Sequence, residues 1–203
     1  MSDFIRSFTF LLTLLNPFLI VVYLTDVMRK LDYDHFAAVL LRAGIISSLV
    51  FCLFGILGDA IFSQVVQAEF ASFQIFGGVV FLIISLQFIF KGNAAISALR
   101  GDSGNVVGAI AMPVFIGPGT ISASVLAGKH LKAPVAIAAI FLAVGVSVGI
   151  ILLLKRLHDH VQSRDSRLIE GYVNIAGRVT ALYVGTIAIE MLMRGLQVWT
   201  AKF

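Results

Sequence analysis

The sequence predicts an all-α, polytopic membrane protein: six transmembrane helices in two inverted three-helix repeats, with helices 1 and 4 broken or kinked. Three observations carry this. Of 203 residues, 59% are hydrophobic and only 13% charged, against roughly 25% charged in a soluble domain, and the mean hydropathy is +1.00. Six stretches approach the roughly 20 apolar residues that cross about 30 Å of hydrocarbon. The two halves of the chain also carry matching landmarks.

Composition excludes several classes at once. A domain of this length has no interior large enough to hide so much apolar surface, so a soluble enzyme, a nucleic-acid binder and a disordered tail are ruled out. The surplus of 15 Lys+Arg over 11 Asp+Glu is spread over short loops and reads as membrane orientation. A single cysteine, Cys52, forbids an intrachain disulfide and a cysteine-based metal site. His35, His130, His158 and His160 fall in or beside polar stretches. Arg156–His160 has metal-binding residue types but reads more simply as a solvated loop, so no metal and no cofactor is expected.

The first span is Ser7 to Leu24, closed by the charged stretch Asp26 to Asp34. Its apolar run is too long for a signal-peptide core and lacks a cleavage pattern, so it reads as a retained helix. The second is Phe36 to Leu57, ending at Gly58-Asp59. Ile61–Glu69 is amphipathic and reads as an interfacial connector. The third is Phe70 to Phe90, ending at Lys91-Gly92. The fourth is Val106 to Ala127. The fifth is Pro134 to Leu154, with proline in a first-turn position where its missing N–H costs nothing, and Lys155-Arg156 as its stop. The sixth is Gly171 to Met193, stopped by Arg194-Gly195, with Arg178 and Glu190 inside it.

Six spans put both termini on one face, with Arg6, Lys129, Lys132, Arg194 and Lys202. The other face carries nine cations, from Arg29 to Arg167. Cytoplasmic loops are the richer in Lys and Arg, so the termini are expected on the non-cytoplasmic side.

Gln87-Phe-Ile-Phe-Lys91-Gly92 recurs in kind as Glu190-Met-Leu-Met-Arg194-Gly195, offset by 103. Asn16-Pro17 matches Gly117-Pro118 at an offset of 101. These landmarks divide the chain into a first repeat (1–92), a loop (93–105) and a second repeat (106–203). An odd number of spans per repeat makes the second copy enter from the opposite side, as in inverted-repeat transporters.

Pro17 lies within span one; Pro113 and then Gly117-Pro118-Gly119 lie within span four. Proline removes a helical hydrogen bond, and exposed backbone at membrane depth is tolerated only where it lines a cavity or is buried in protein. Interruptions at matching positions point to a transporter binding site. The helix that starts at Gly119 would aim free N–H groups at the break, which suits a carboxylate. Free carbonyls before it suit an ammonium group or Na⁺. Asn16, Pro17, Gly117, Pro118, Gly119, Thr120, Ser122 and Ser124 are therefore the candidate substrate-binding residues. A plain kink at Pro17, and hydroxyls bonded back to their own helix, are the structural alternatives. Glu190 is either one partner of an i,i+4 pair with Arg194 or a cation-coupling carboxylate, with neutral Gln87 as its repeat mate. Gly77-Gly78 read as close-packing positions.

These motifs resemble the MarC family of bacterial and archaeal inner-membrane proteins, which includes the SnatA small-neutral-amino-acid transporters. Leu15-Asn16-Pro17, Phe76-Gly77-Gly78-Val79-Val80-Phe81, Ala111 through Ser122 with its Pro-x-x-x-Gly-Pro-Gly core, and Ala188 through Gly195 carry the resemblance in order along the chain. The family's first motif usually continues with a glycine and a second proline where this chain has Leu19 and Val22. The resemblance implies transport of glycine, alanine and similar substrates, driven by a Na⁺ or H⁺ gradient, often as export. The expected partners are such an amino acid and the bilayer, with no nucleic acid; a homo-oligomer is compatible with the chain. A membrane scaffold or regulator without transport is the alternative, and an intramembrane enzyme a third, which lacks a nucleophile–base pair.

Overall fold

The computed structural model describes residues 2–65, 67–91, 115–161 and 166–201. Among them there are seven α-helices and no strand: α1 Ser2–Leu15, α2 Pro17–Lys30, α3 Tyr33–Ala60, α4 Phe70–Lys91, α5 Pro118–His130, α6 Ala133–Val161 and α7 Ser166–Thr200. A π-helical turn, Ile61–Val65, extends α3. Pro113, the start of the expected fourth span and the expected inter-repeat loop lie outside the described residues.

The first span, expected to be broken or kinked, is divided into two helices. Among the described residues four helical segments are long and apolar enough to cross a membrane: Tyr33–Gly58, Phe70–Phe90, Ala133–His160 and Ala181–Thr200. Where span one was expected, Asn16 divides the chain into α1 and α2, each of 14 residues. At about 1.5 Å per residue such a helix is roughly 21 Å long, too short for about 30 Å of hydrocarbon. Asn16 has φ 41°, the left-handed region that asparagine enters more readily than most residues, and Pro17 follows with no N–H to continue the ladder. α5, with 13 residues, is equally short.

Charged residues end the helices less often than expected. α6 continues past Lys155-Arg156 to Val161, and α7 continues past Arg194-Gly195 to Thr200. At Arg194 the reason is local. Its Nε donates to Glu190 at 2.7 Å, an i,i+4 pair that helical geometry itself creates.

Leu31-Asp32 and Leu131-Lys132 make equivalent turns at an offset of 100, each leading into a long helix. Asp32 caps α3, its carboxylate accepting from the His35 N–H. The long helices α3 and α6 then bury the same face. Phe36, Leu40, Ala43, Ser47 and Phe51 are buried, and so are Ala136, Ile140, Ala143, Ser147 and Ile151. Leu41, Leu53, Phe141 and Leu153 stand exposed on the opposite faces. Large apolar side chains arrayed outward suit lipid rather than water.

The core gathers α1, α2, α3, α5 and α6 around Leu15, Ile20, Leu40, Phe51, Phe115 and Ile140. α5 packs on α1, α3 and α4, while α4 and α7 form the most extensive helix pair. That pair is antiparallel. A Cβ on Gly78 would come within 2.8 Å of the Ala188 carbonyl, and the Ser85 hydroxyl donates to the Ala181 carbonyl at 2.5 Å. Shifting by 103 residues carries Gly78 to Ala181 and Ser85 to Ala188, so the two contacts are images of one another. Gly195 completes the seam against Ala71 and Ile75. Small residues of this kind let helix backbones approach where lipid offers no hydrophobic drive to association.

Candidate functional site

The start of α5 is built by four residues between 115 and 120. Phe115 is fully buried and anchors the approach. Gly117 adopts an extended conformation with φ −114° and ψ 164°. Pro118 opens the helix, its fixed φ already helical. Thr120 then closes the turn upon itself. Its Oγ1 accepts from the Gly117 N–H at 2.9 Å, and its hydroxyl proton is shared between the carbonyls of Phe115 and Gly117, both at 2.9 Å. One side chain thus satisfies three groups of the interrupted backbone.

This sorts the expected hydroxyls. Thr120 is 2% exposed and committed to the loop. Ser124 bonds back to the Ile121 carbonyl at 2.7 Å. Ser122 is 3% exposed and its Oγ has no hydrogen-bond partner. A buried hydroxyl in that condition costs about 1–3 kcal/mol, so a ligand or water that bonds it gains accordingly. The N–H groups of Gly119 and Thr120 lie in the first turn and have no carbonyl one turn back within the helix. Two backbone donors and one orphan hydroxyl are the chemistry that α5 presents.

Thr120→Val is expected to lower stability by about 1–2 kcal/mol, the worth of a cap and its buried partners. Thr120→Ser should restore most of it. Thermal unfolding of the detergent-solubilised protein checks both.

α4 closes one side of the break. A Cβ on Gly77 would stand 2.5 Å from Pro118 Cβ and 3.0 Å from Met191 Cε. Gly77 is therefore the notch that receives the proline, while Gly78 faces α7. One turn on, the Phe81 ring lies against Gly117 and Gly119. Phe81 lies in the Phe76–Phe81 motif, but spacing alone does not place its ring against the break.

The matching interruption at Asn16-Pro17 differs. Both residues are buried, and the helical ladder resumes on either side. The Asn16 N–H donates to Leu12 at 3.0 Å and its carbonyl accepts from Ile20 at 3.1 Å. Glu190 and Arg194 are each 53% exposed and paired with one another. Met191, not Glu190, is the α7 residue turned to Gly77. Gln87 has a buried Oε1 without a partner.

At the far end of α5 a cavity of about 830 Å³ opens among Phe62, Glu69, Phe70, Gln74, Lys129 and Arg194. Lys129 sits over the Phe70 ring at 5.3 Å from its centre. The cavity thus joins an acidic, a basic and an aromatic wall. Among the described residues no group of three His, Cys, Asp or Glu could hold a metal ion.

The sequence is similar to a UPF0056 membrane protein of Aquifex aeolicus, 22% identical over 96% of this chain and 92% of the relative. It is likewise similar to one of Methanocaldococcus jannaschii, 26% identical over 96% of each. No solved structure matches the chain. The family described as MarC family integral membrane protein matches residues 1–200. With an interrupted helix, apolar helices facing lipid and a family match along nearly its whole length, the chain belongs to the MarC family of integral membrane proteins.

Proposed function

We propose that the protein is a secondary transporter of small neutral amino acids such as glycine and alanine, exporting or exchanging them by alternating access of two inverted three-helix repeats. The observation that carries the reading is the start of α5. A half-length helix begins inside the protein, its first N–H groups without a carbonyl one turn back within the helix, beside Ser122, whose hydroxyl has no partner. Such an end favours a carboxylate through its donors and its dipole. The interchange of the α4–α7 contacts under a 103-residue shift supports a two-fold axis across antiparallel helices, the relation that inverted repeats require. The cavity between Glu69, Phe70 and Lys129 offers both signs of charge to an arriving zwitterion.

In this reading the inner (plasma) membrane holds the protein with its termini on the non-cytoplasmic side, and a Na⁺ or H⁺ gradient supplies the drive without a bound cofactor. Gln87 is the stronger candidate for a polar cavity residue, because Glu190 is spent on Arg194.

Purified protein in liposomes, loaded with unlabelled substrate and offered labelled glycine or alanine, is expected to accumulate label. Ser122→Ala should weaken that flux several-fold without loss of folding. No flux across a panel of amino acids and imposed Na⁺ or H⁺ gradients would sink the transport reading in favour of a scaffold or regulatory role. A cytoplasm-only reporter fused after Phe203 should be silent; an active one reverses the orientation.

A further inference from the structure

Phe81 touches the break without belonging to it. A Cβ on Gly117 would meet its Cζ at 3.3 Å and Cε1 at 3.4 Å; one on Gly119 would overlap its Cε2, with Cζ at 3.0 Å. The ring rests on the bare backbone of both glycines, across the opening turn of α5. Its own backbone is held in place. One turn earlier Gly77 is wedged against Pro118, and Gly78 packs on the Ala188 carbonyl. The side chain is only partly buried. The fixed part of this contact is therefore α4, and the adjustable part is the ring.

We propose that Phe81 sets the upper size limit on the substrate's side chain. This rests on the break being the amino-acid site. A carboxylate bonded to the N–H groups of Gly119 and Thr120 places the substrate's α-carbon next to the ring. Hydrogen or methyl on that carbon fits beside it. A branched side chain needs space the ring occupies. Phe81→Ala removes more carbon than leucine adds over alanine, so the exchange is sterically sufficient. The glycines serve the same purpose from the other wall. Any side chain at 117 or 119 would press into the ring, so the site keeps its width only with glycine on one side and phenylalanine on the other.

The test compares labelled glycine and labelled leucine in proteoliposomes carrying wild-type, Phe81→Ala or Phe81→Leu protein, each first shown to be monodisperse. The wild type is expected to favour glycine at least about tenfold, the lower end of what a hydrophobic pocket discriminates for a single methylene group. Phe81→Ala should narrow that preference by about tenfold, read as the ratio of glycine to leucine flux in the same preparation, with Phe81→Leu between the two. A folded Phe81→Ala that moves glycine at the unchanged ratio overturns the proposal and leaves the transport reading standing. Should Phe81→Ala not fold, the Phe81→Leu ratio decides in the same way. Wild-type protein that carries neither amino acid overturns both.

Discussion

Gly128→Leu is expected to yield no folded protein, and Gly128→Ala to lower stability by about 3 kcal/mol, the upper range for forced overpacking. The cause is backbone against backbone. A Cβ built on Gly128 overlaps the carbonyl oxygen of Gly55, and the Gly55 carbonyl carbon lies 2.6 Å from it. No rotamer relieves such a clash, because neither partner is a side chain. The surrounding contacts are equally close. A Cβ on Gly55 would stand 3.2 Å from the Ser124 carbonyl, and one on Gly58 would stand 2.6 Å from Val125 Cγ2. α3 and α5 can accept a larger residue only by separating, which strips the packing that holds α5 in place. Gly145→Ala is the matched control. A Cβ there meets nothing within 4 Å, so the change should be neutral or slightly stabilising through helix propensity. Size-exclusion profiles and thermal unfolding in detergent separate the two. Equal behaviour of Gly128→Ala and Gly145→Ala would refute the close approach of α3 and α5.

The second large effect is expected at Lys155. Its side chain is 3% exposed, and its Nζ donates to Asp159 Oδ1 at 2.6 Å and to the Met28 carbonyl at 2.7 Å. The Phe36 ring lies 6.0 Å from it. Met28 is in the last turn of α2, where carbonyls have run out of intrahelical partners. Lys155 is thus the C-terminal cap of another helix, with its positive charge at the negative end of that helix's dipole. Lys155→Ala leaves a buried carbonyl unpaired and a hole where the stem lay. A loss of about 2–3 kcal/mol follows. Lys155→Met keeps the stem and loses the cap, for about half that cost. Arg156→Ala, at an exposed neighbour, should change stability by no more than about 0.5 kcal/mol. Thermal unfolding of the three proteins orders them; an unshifted Lys155→Ala would show that the buried ammonium contributes nothing.

The two sites are counterparts. Residues 28 and 128 close the short helices α2 and α5, and residues 155 and 55 receive them on the long helices α6 and α3. One half holds its short helix with an ammonium group and the other with bare glycine backbone. Sequence comparison of the halves has no way to see this, because Lys and Gly share no chemistry. The equivalence is one of position.

What the sequence showed and what it hid divide along the same line. Backbone-breaking residues were legible: Asn16 separates α1 from α2, whose first residue is Pro17, and Gly117-Pro118 opens α5. Long apolar runs were legible too: α4 matches its expected limits to within a residue. Charges misled. A lone cation avoids hydrocarbon, so Lys155 and Arg194 look like stops in the sequence, yet each lies within its helix and bonds a carboxylate four residues away. The site was half legible. The glycines and hydroxyls stood out as types, but which hydroxyl is already satisfied depends on a fold-back of Thr120 over three residues. That Phe81 covers Gly119 depends on which face of α4 meets α5, and α4 is apolar all round.

The Ser85 hydroxyl finds its acceptor 96 residues further along the chain. Synthesis proceeds at roughly 5–20 residues per second, so α4 waits on the order of 5–20 s in the bilayer before α7 exists. During that interval Gly78 and Ser85 face lipid, and the hydroxyl can only turn back to a carbonyl of its own helix. The α4–α7 seam consequently becomes possible only when the last helix has been made. A nascent chain stalled before Ala181 carries an inserted first half with its main docking surface bare.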